Sequence, residues 1–175
     1  VGIARQFFTV ARRRRLIREN PFDGQPVAVR PVPSRLRFIS RADIDLVIEV
    51  APTAEWRLLI ALARYGGLRI PSELKGLTWA DVLWDKNRIC IHATKTEKND
   101  AGGIRYLPIF PELLRPLMEV FDAAEPGTVH VLPTLRGENL RTQFERIIHV
   151  AGLTPWPKLF QNLRSTRETE LAGEH

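Results

Sequence analysis

Pro21, Gly24, Pro26, Pro31 and Pro33 fall within thirteen residues, and no regular helix or strand can run through such a stretch. They divide the 175-residue chain into an amino-terminal helix within residues 1–20, a linker over 21–37 and a body over 38–175. With 44% hydrophobic residues the body can bury a core. A chain of this length removes roughly two thirds of its unfolded surface from water, which excludes disorder as its resting state. The longest apolar run, Leu58 to Ala63, falls far short of the roughly 20 residues that cross a bilayer, and no leader of charged then apolar residues opens the chain. No membrane partner is expected. A single cysteine, Cys90, excludes an intrachain disulfide framework and a multi-cysteine zinc site, and the plain expectation is a cytoplasmic protein. The chain opens on Val1 and its last segment reads as an uninterrupted helix, so both ends are expected to continue in a longer protein.

Charge is unevenly placed. Residues 1–37 hold nine arginines against Glu19 and Asp23, whereas residues 38–175 hold 17 basic and 18 acidic side chains, close to neutrality. Arg12, Arg13, Arg14 and Arg15 are the densest part of the basic tail. At 100° per residue four consecutive positions sweep most of the way around a helix, so at least one is expected to turn toward the side carrying Phe7, Phe8, Leu16 and Ile17. Such a run either lies over apolar surface and solvent or binds phosphates, each neutralised phosphate adding about 0.9 to the salt slope on duplex DNA.

The remaining pattern is mostly helical. Residues 3–19 read as a helix ended by Asn20-Pro21. Ser40 to Asp43 resembles a capping box before a helix with Ile44, Val47 and Ile48 on one face. Pro52-Thr53 restarts a second helix bearing Trp56, Leu59, Ile60 and Ala63, which Gly66-Gly67 ends. A further helix is predicted from Pro71, a first-turn proline, which leaves Arg69 in a junction. Residues 88–94 and 104–109 alternate as the strands of a hairpin across Asn99 to Gly103. Residues 111–121, 138–150 and 158–171 have helical spacing. The fold class is therefore mainly α with one small antiparallel β-sheet.

The segment Gly67-Leu68-Arg69, Ser72-Glu73-Leu74, Leu77, Trp79 and Asp81 resembles the first signature box of the tyrosine recombinase, or phage integrase, family. Thr94-Lys95-Thr96 at the hairpin resembles the family's catalytic-lysine position, and Gln161-Asn162-Leu163-Arg164 its second box. The resemblance covers most of residues 38–175 and implies a tyrosine recombinase-like catalytic domain, with residues 1–20 as the tail helix of a preceding core-binding domain. It implies site-specific DNA strand cleavage and rejoining through a 3′-phosphotyrosine, without metal or cofactor. Its partners would be double-stranded DNA and other recombinase protomers, in the cytoplasm and on the nucleoid when bound. The catalytic set it implies is Arg69, Lys95, Gln161 and Arg164, supported by Glu73. Lys98 is the rival to Lys95 and, with Arg12 to Arg15, is expected to contact DNA.

Three departures accompany the match. Glu73 lies four residues after Arg69 where the family usually spaces its acid by three, as if Pro71 were inserted. Gln161 stands where His or Lys is usual; it donates a hydrogen bond but exchanges no proton near neutrality. The nucleophilic Tyr of the family lies downstream of the second arginine, whereas Tyr65 and Tyr106 both precede Arg164, so the expected domain is truncated before its nucleophile.

The chemistry suits these residue types. Cleaving a phosphodiester without metal means stabilising charge on nonbridging oxygens, which two planar guanidiniums can grip through paired hydrogen bonds. The leaving 5′ oxygen needs a proton that arginine cannot surrender, so a lysine near other cations is the plausible acid. Taken alone, Arg69 with Glu73 and Arg164 with Glu168 would be ion pairs at i,i+4 spacing. His92, His130 and His149 have no metal-ligand spacing, Trp79 and Trp84 suit packing, and Cys90 suits the sheet. The competing functional readings are a non-catalytic DNA-binding relative of the integrases, favoured by Gln161, and a helical interaction module with a basic tail.

Overall fold

The computed structural model describes residues 2–25, 36–92, 103–135 and 139–173. They fall into two compact units, divided between Pro33 and Ser34, and each is described by itself. In the first, helix α1 spans Gly2–Arg13, so the helix expected through residue 19 stops six residues early. Its last carbonyls are consumed locally. Leu16 N–H bonds Ala11 O at 3.0 Å and Arg15 N–H bonds Arg12 O at 2.9 Å. Arg15 takes the left-handed φ of 59° that this ending usually assigns to glycine. The chain then doubles back on α1. Asn20, buried, donates to Arg5 O and to Thr9 Oγ1, each at 3.0 Å, and Phe22 packs on Phe8 with ring centroids 5.3 Å apart. Residues 21–25, expected in the linker, are therefore part of this unit, while 26–35 lie outside the described residues. Arg12, Arg13, Arg14 and Arg15 are all exposed. None turns to the apolar side, because the helix ends before the run can sweep around it. Arg12 pairs with Asp23 at 2.7 Å.

The second unit contains five α-helices and one three-stranded sheet among its described residues. Helix α2 (Arg41–Glu49) is capped by Ser40, which accepts from Asp43 N–H at 3.0 Å. Helix α3 (Ala54–Arg64) is capped by Thr53, which accepts from Trp56 N–H at 3.2 Å. Both caps stand where the sequence pattern places them. Strands β1 (Val82–Leu83), β2 (Arg88–His92) and β3 (Ile104–Pro108) form an antiparallel sheet in that order. Val82 faces Ile89, and Ile89 faces Leu107. The hairpin matches expectation over these residues; β1, only two residues long, carries no readable alternation. Helices α4 (Pro111–Ala123), α5 (Leu140–Val150) and α6 (Leu159–Gly173) complete the unit. No described helix is long and apolar enough to cross a membrane.

The helix predicted from Pro71 is a run of turns instead. Lys75 N–H bonds Pro71 O at 3.2 Å, but Leu77 N–H already closes on Leu74 O at 3.1 Å. Gly76 intervenes, and a nucleus this short does not propagate.

Helix α3 is the centre of the core: every residue from Leu58 to Ala63 is fully buried. Phe144 of α5 gathers Trp56 at 6.3 Å, Trp156 at 6.0 Å and Phe160 of α6 at 4.9 Å, so one ring joins three helices. At the end of α3 the chain passes close to β3. A Cβ on Gly66 would stand 2.7 Å from Leu62 O and 2.9 Å from Leu107 Cδ2. Gly67 follows at φ +61°, where a side chain would be strained.

Arg64, the last residue of α3, is wholly buried. Its Nη1 and Nη2 donate to the two carboxylate oxygens of Glu170 on α6 at 2.9 and 2.5 Å, and Nη2 also reaches Ile39 O at 3.2 Å. Arg167 adds a second cation 3.5 Å from the same carboxylate and lies over the Phe110 ring at 4.5 Å. The hydrogen bonds from Arg64 hold the Glu170 carboxyl below its ordinary range, burial works against them, and the charges of Arg64, Arg41 and Arg167 add to the lowering.

A lowered folded pKa means that the pair's stabilisation is complete above the unfolded value of about 4.3 and drains as pH falls through the folded one. Removing one partner of a buried pair costs about 3 to 5 kcal/mol. Glu170→Gln is therefore expected to lower the thermal midpoint sharply at neutral pH, with the gap to the parent narrowing on acidification below pH ~4. A gap independent of pH would show that the charge of Glu170 contributes nothing.

Candidate active site

The end of α3 and the inner face of α6 meet at a cleft of about 750 Å³ lined by Leu68, Arg69, Pro71, Gln161, Arg164 and Glu168 among others. Three of the four catalytic residues expected from sequence, Arg69, Gln161 and Arg164, are brought together here. The fourth, Lys95, and its rival Lys98 lie outside the described residues.

Arg69 is positioned by its backbone. Its N–H donates to Glu73 Oε2 at 2.9 Å, and its guanidinium stays 3.8 Å from Glu73 Oε1, leaving the side chain 41% exposed at the cleft. Glu73 is itself buried. The extra residue in the Arg69–Glu73 spacing is absorbed because the carboxylate reaches back along the turn to the Arg69 amide, closing a loop over Pro71 rather than projecting from a helix. Glu73 Oε2 also accepts from Arg105 Nη2 at 2.9 Å, and Arg105 Nη2 contacts Gly67 O at 3.4 Å.

Arg105 was not singled out by sequence reasoning. It occupies an ordinary alternating position on β3, and only the fold shows that β3 delivers it to the junction. Arg64, Arg167 and Glu170 were missed for a related reason: Arg64 and Glu170 are 106 residues apart, and nothing local marks them as partners.

Arg164 projects from α6 toward the cleft. Leu163 beside it is fully buried and anchors the helix. Arg164 Nε donates to Glu168 Oε1 at 2.7 Å, the i,i+4 pair that sequence spacing allows. Its Nη1 is buried with no hydrogen-bond partner among the described residues, so one donor face is committed to Glu168 and another is unspent. Gln161 is exposed one turn earlier on the same helix, its amide able to donate into the same space.

Neither tyrosine lines this cleft. Tyr65 is buried, donates to Asp45 Oδ1 at 3.2 Å, and has its pKa pushed up to about 12 by burial and by the Asp45 charge. Tyr106 lies on β3, opposite Cys90, and is exposed.

The fold is shared with solved recombinase structures. XerA recombinase aligns with a TM-score of 0.64 at 18% identity over 85% of this chain and 54% of that one. Lambda integrase bound to DNA aligns at 0.66 with 18% identity, over 99% and 65%. The Tn1549 transposon integrase in complex with a circular intermediate DNA aligns at 0.66 with 19% identity, over 97% and 64%. The fold is thus shared with these recombinase and integrase structures, and the chain spans only about half to two thirds of their length. No family model matches the sequence, and no curated protein matches it.

Glu73 is the hinge between the junction and β3. Hydrogen bonds to charged groups are worth about 1.5 to 3 kcal/mol. Glu73→Ala is expected to lower stability by that order and to speed amide exchange at Arg69 N–H well beyond the change at α3. Unaltered protection at Arg69 would mean that the carboxylate does not hold the junction.

Proposed function

We propose that the chain is the phosphate-gripping part of a tyrosine-type site-specific DNA recombinase. The observation that carries this is the convergence of Arg69 and Arg164 on one cleft, with Gln161 between them in chain order and an unspent, buried donor on Arg164. Residues 38–175 act in this reading as the recombinase catalytic domain, residues 1–20 as the tail of a core-binding domain, and the nucleophile is a tyrosine other than Tyr65 and Tyr106.

In the reaction the tyrosine oxygen attacks phosphorus, a P–O bond to tyrosine forms, and the bond to the 5′ oxygen breaks. The two guanidiniums draw charge from the nonbridging oxygens as it develops, and Gln161 donates a further hydrogen bond to them. Lys95 gives its proton to the departing 5′ oxygen. Rejoining is the same step reversed by a 5′ hydroxyl from the partner strand. Glu73 holds Arg69 in place and Arg105 holds Glu73. Arg12 to Arg15 and Lys98 supply contacts to duplex DNA, and other protomers assemble on the same DNA in a cytoplasmic, nucleoid-bound complex. No cofactor takes part.

The rival reading, a DNA-binding relative without cleavage, is favoured by two features of α6: a glutamine where a proton-exchanging residue is usual, and Glu168 on the guanidinium of Arg164.

Arginine and lysine separate these readings. Lysine keeps the charge and loses the planar fork. In the full-length protein Arg69→Lys and Arg164→Lys are expected to lower DNA cleavage by two orders of magnitude or more, equivalent to about 3 to 4 kcal/mol at the transition state. The thermal midpoint should move far less, since lysine keeps a positive charge beside Glu73 and Glu168. Cleavage retained by both variants would overturn the guanidinium clamp, and a parent that binds the duplex and never cleaves it would favour the rival.

The basic tail has its own readout. Replacing Arg12 to Arg15 by alanine should lower the slope of log affinity against log salt by about 0.9 for each phosphate that is no longer neutralised. An unchanged slope would return the four arginines to solvent.

A further inference from the structure

Asp81, Cys90 and His92 bring one carboxylate oxygen, one sulfur and one imidazole nitrogen within 4.8 Å of one another. The set is invisible in the sequence, where the single cysteine excludes multi-cysteine sites and the histidines have no ligand spacing. It arises from the sheet. Alternation along β2 sends Ile89 and Ile91 into the core and Cys90 and His92 together to the opposite face. Val82 pairs with Ile89, so Asp81, immediately before β1, is laid beside that face.

The distances suit an ion. His92 Nε2 lies 2.9 Å from Asp81 Oδ1 and 3.8 Å from Cys90 Sγ. A tetrahedral zinc with bonds of about 2.0 to 2.3 Å separates its ligand atoms by about 3.3 to 3.7 Å, within reach of small side-chain rotations here. The carboxylate is also oriented from behind. Asp81 Oδ2 accepts from Thr78 N–H at 2.9 Å and from Thr78 Oγ1 at 2.7 Å, which leaves Oδ1 aimed at the histidine. Metal-ligating carboxylates are commonly held by such outer hydrogen bonds.

We propose that Asp81, Cys90 and His92 bind a divalent transition-metal ion of the zinc class, with the fourth position open to solvent. Donor chemistry sets the class: one thiolate, one imidazole and one carboxylate suit zinc or cobalt and disfavour magnesium and calcium, which take oxygen ligands. Thiolate and carboxylate together offset the two charges of the ion, and His92 binds neutral through Nε2. None of the three residues lines the arginine cleft, so the site is separate from the strand-cleavage chemistry and requires no part of it. Binding through Nε2 would leave the imidazole proton on Nδ1 and release the thiol proton of Cys90 to solvent.

The test is a titration of metal-stripped full-length protein with Co²⁺. One equivalent is expected to bind with a thiolate-to-cobalt charge-transfer band in the near ultraviolet, to be displaced by Zn²⁺, and to shield Cys90 from a thiol reagent. Cys90→Ser should abolish the band, while His92→Ala and Asp81→Asn should weaken binding at least about tenfold. His92 is exposed, so its replacement leaves the core intact. Absence of the charge-transfer band at saturating cobalt would overturn the proposal, as would His92→Ala and Asp81→Asn variants that bind as tightly as the parent.

Discussion

A guanidinium with no solvent exposure must have its charge answered inside the protein, and Arg64 is such a group. Its answer comes from Glu170, on the helix that also carries Arg164. The first of the two cleft arginines follows the end of α3 by a few residues, and the second sits on α6. One buried ion pair therefore fixes the distance between the elements that carry both. Ile39 tightens the same joint: its carbonyl accepts from Arg64 and its N–H donates to Thr166 Oγ1 at 3.1 Å. A hydrophobic pair of the same size could match or exceed the stability of such a bridge. It would not impose the same register, because apolar surfaces slide where a bidentate pair does not.

The same economy explains the cleft. Glu168 engages Arg164 from a side chain that is itself 60% exposed, and such a pair is worth at most about 1 kcal/mol. In the proposed reading, a phosphate held by both arginines would displace that carboxylate at little cost. Glu73 is the opposite case: buried, bound to a backbone amide and to a second arginine, it belongs to the frame of the cleft.

What could be read in the sequence was what short-range physics writes there. Ser40 and Thr53 cap because their side chains accept from N–H groups three residues away, and the hairpin alternates because each strand has one wet face. Arg69, Gln161 and Arg164 could be read as a set only through the resemblance of the boxes around them. What could not be read depends on contacts made after folding. Arg105 looks like any strand residue until β3 is laid against the junction. Arg15 hides the end of α1, since an arginine in a glycine conformation sends no signal. Phe144 is one apolar helix residue among several, and only the packed rings of Trp56, Trp156 and Phe160 make it a centre.

The crowding at Gly66 links two parts of the molecule mechanically. Leu107 of β3 presses against a position that has no room for even a methyl group, and the facing Leu62 carbonyl is backbone and cannot swing aside. Close-packed contacts of this kind transmit displacement rather than absorb it. The sheet and the Arg69 turn consequently behave as one lever. A displacement of β3 at Leu107 is felt at Gly66, three residues before Arg69.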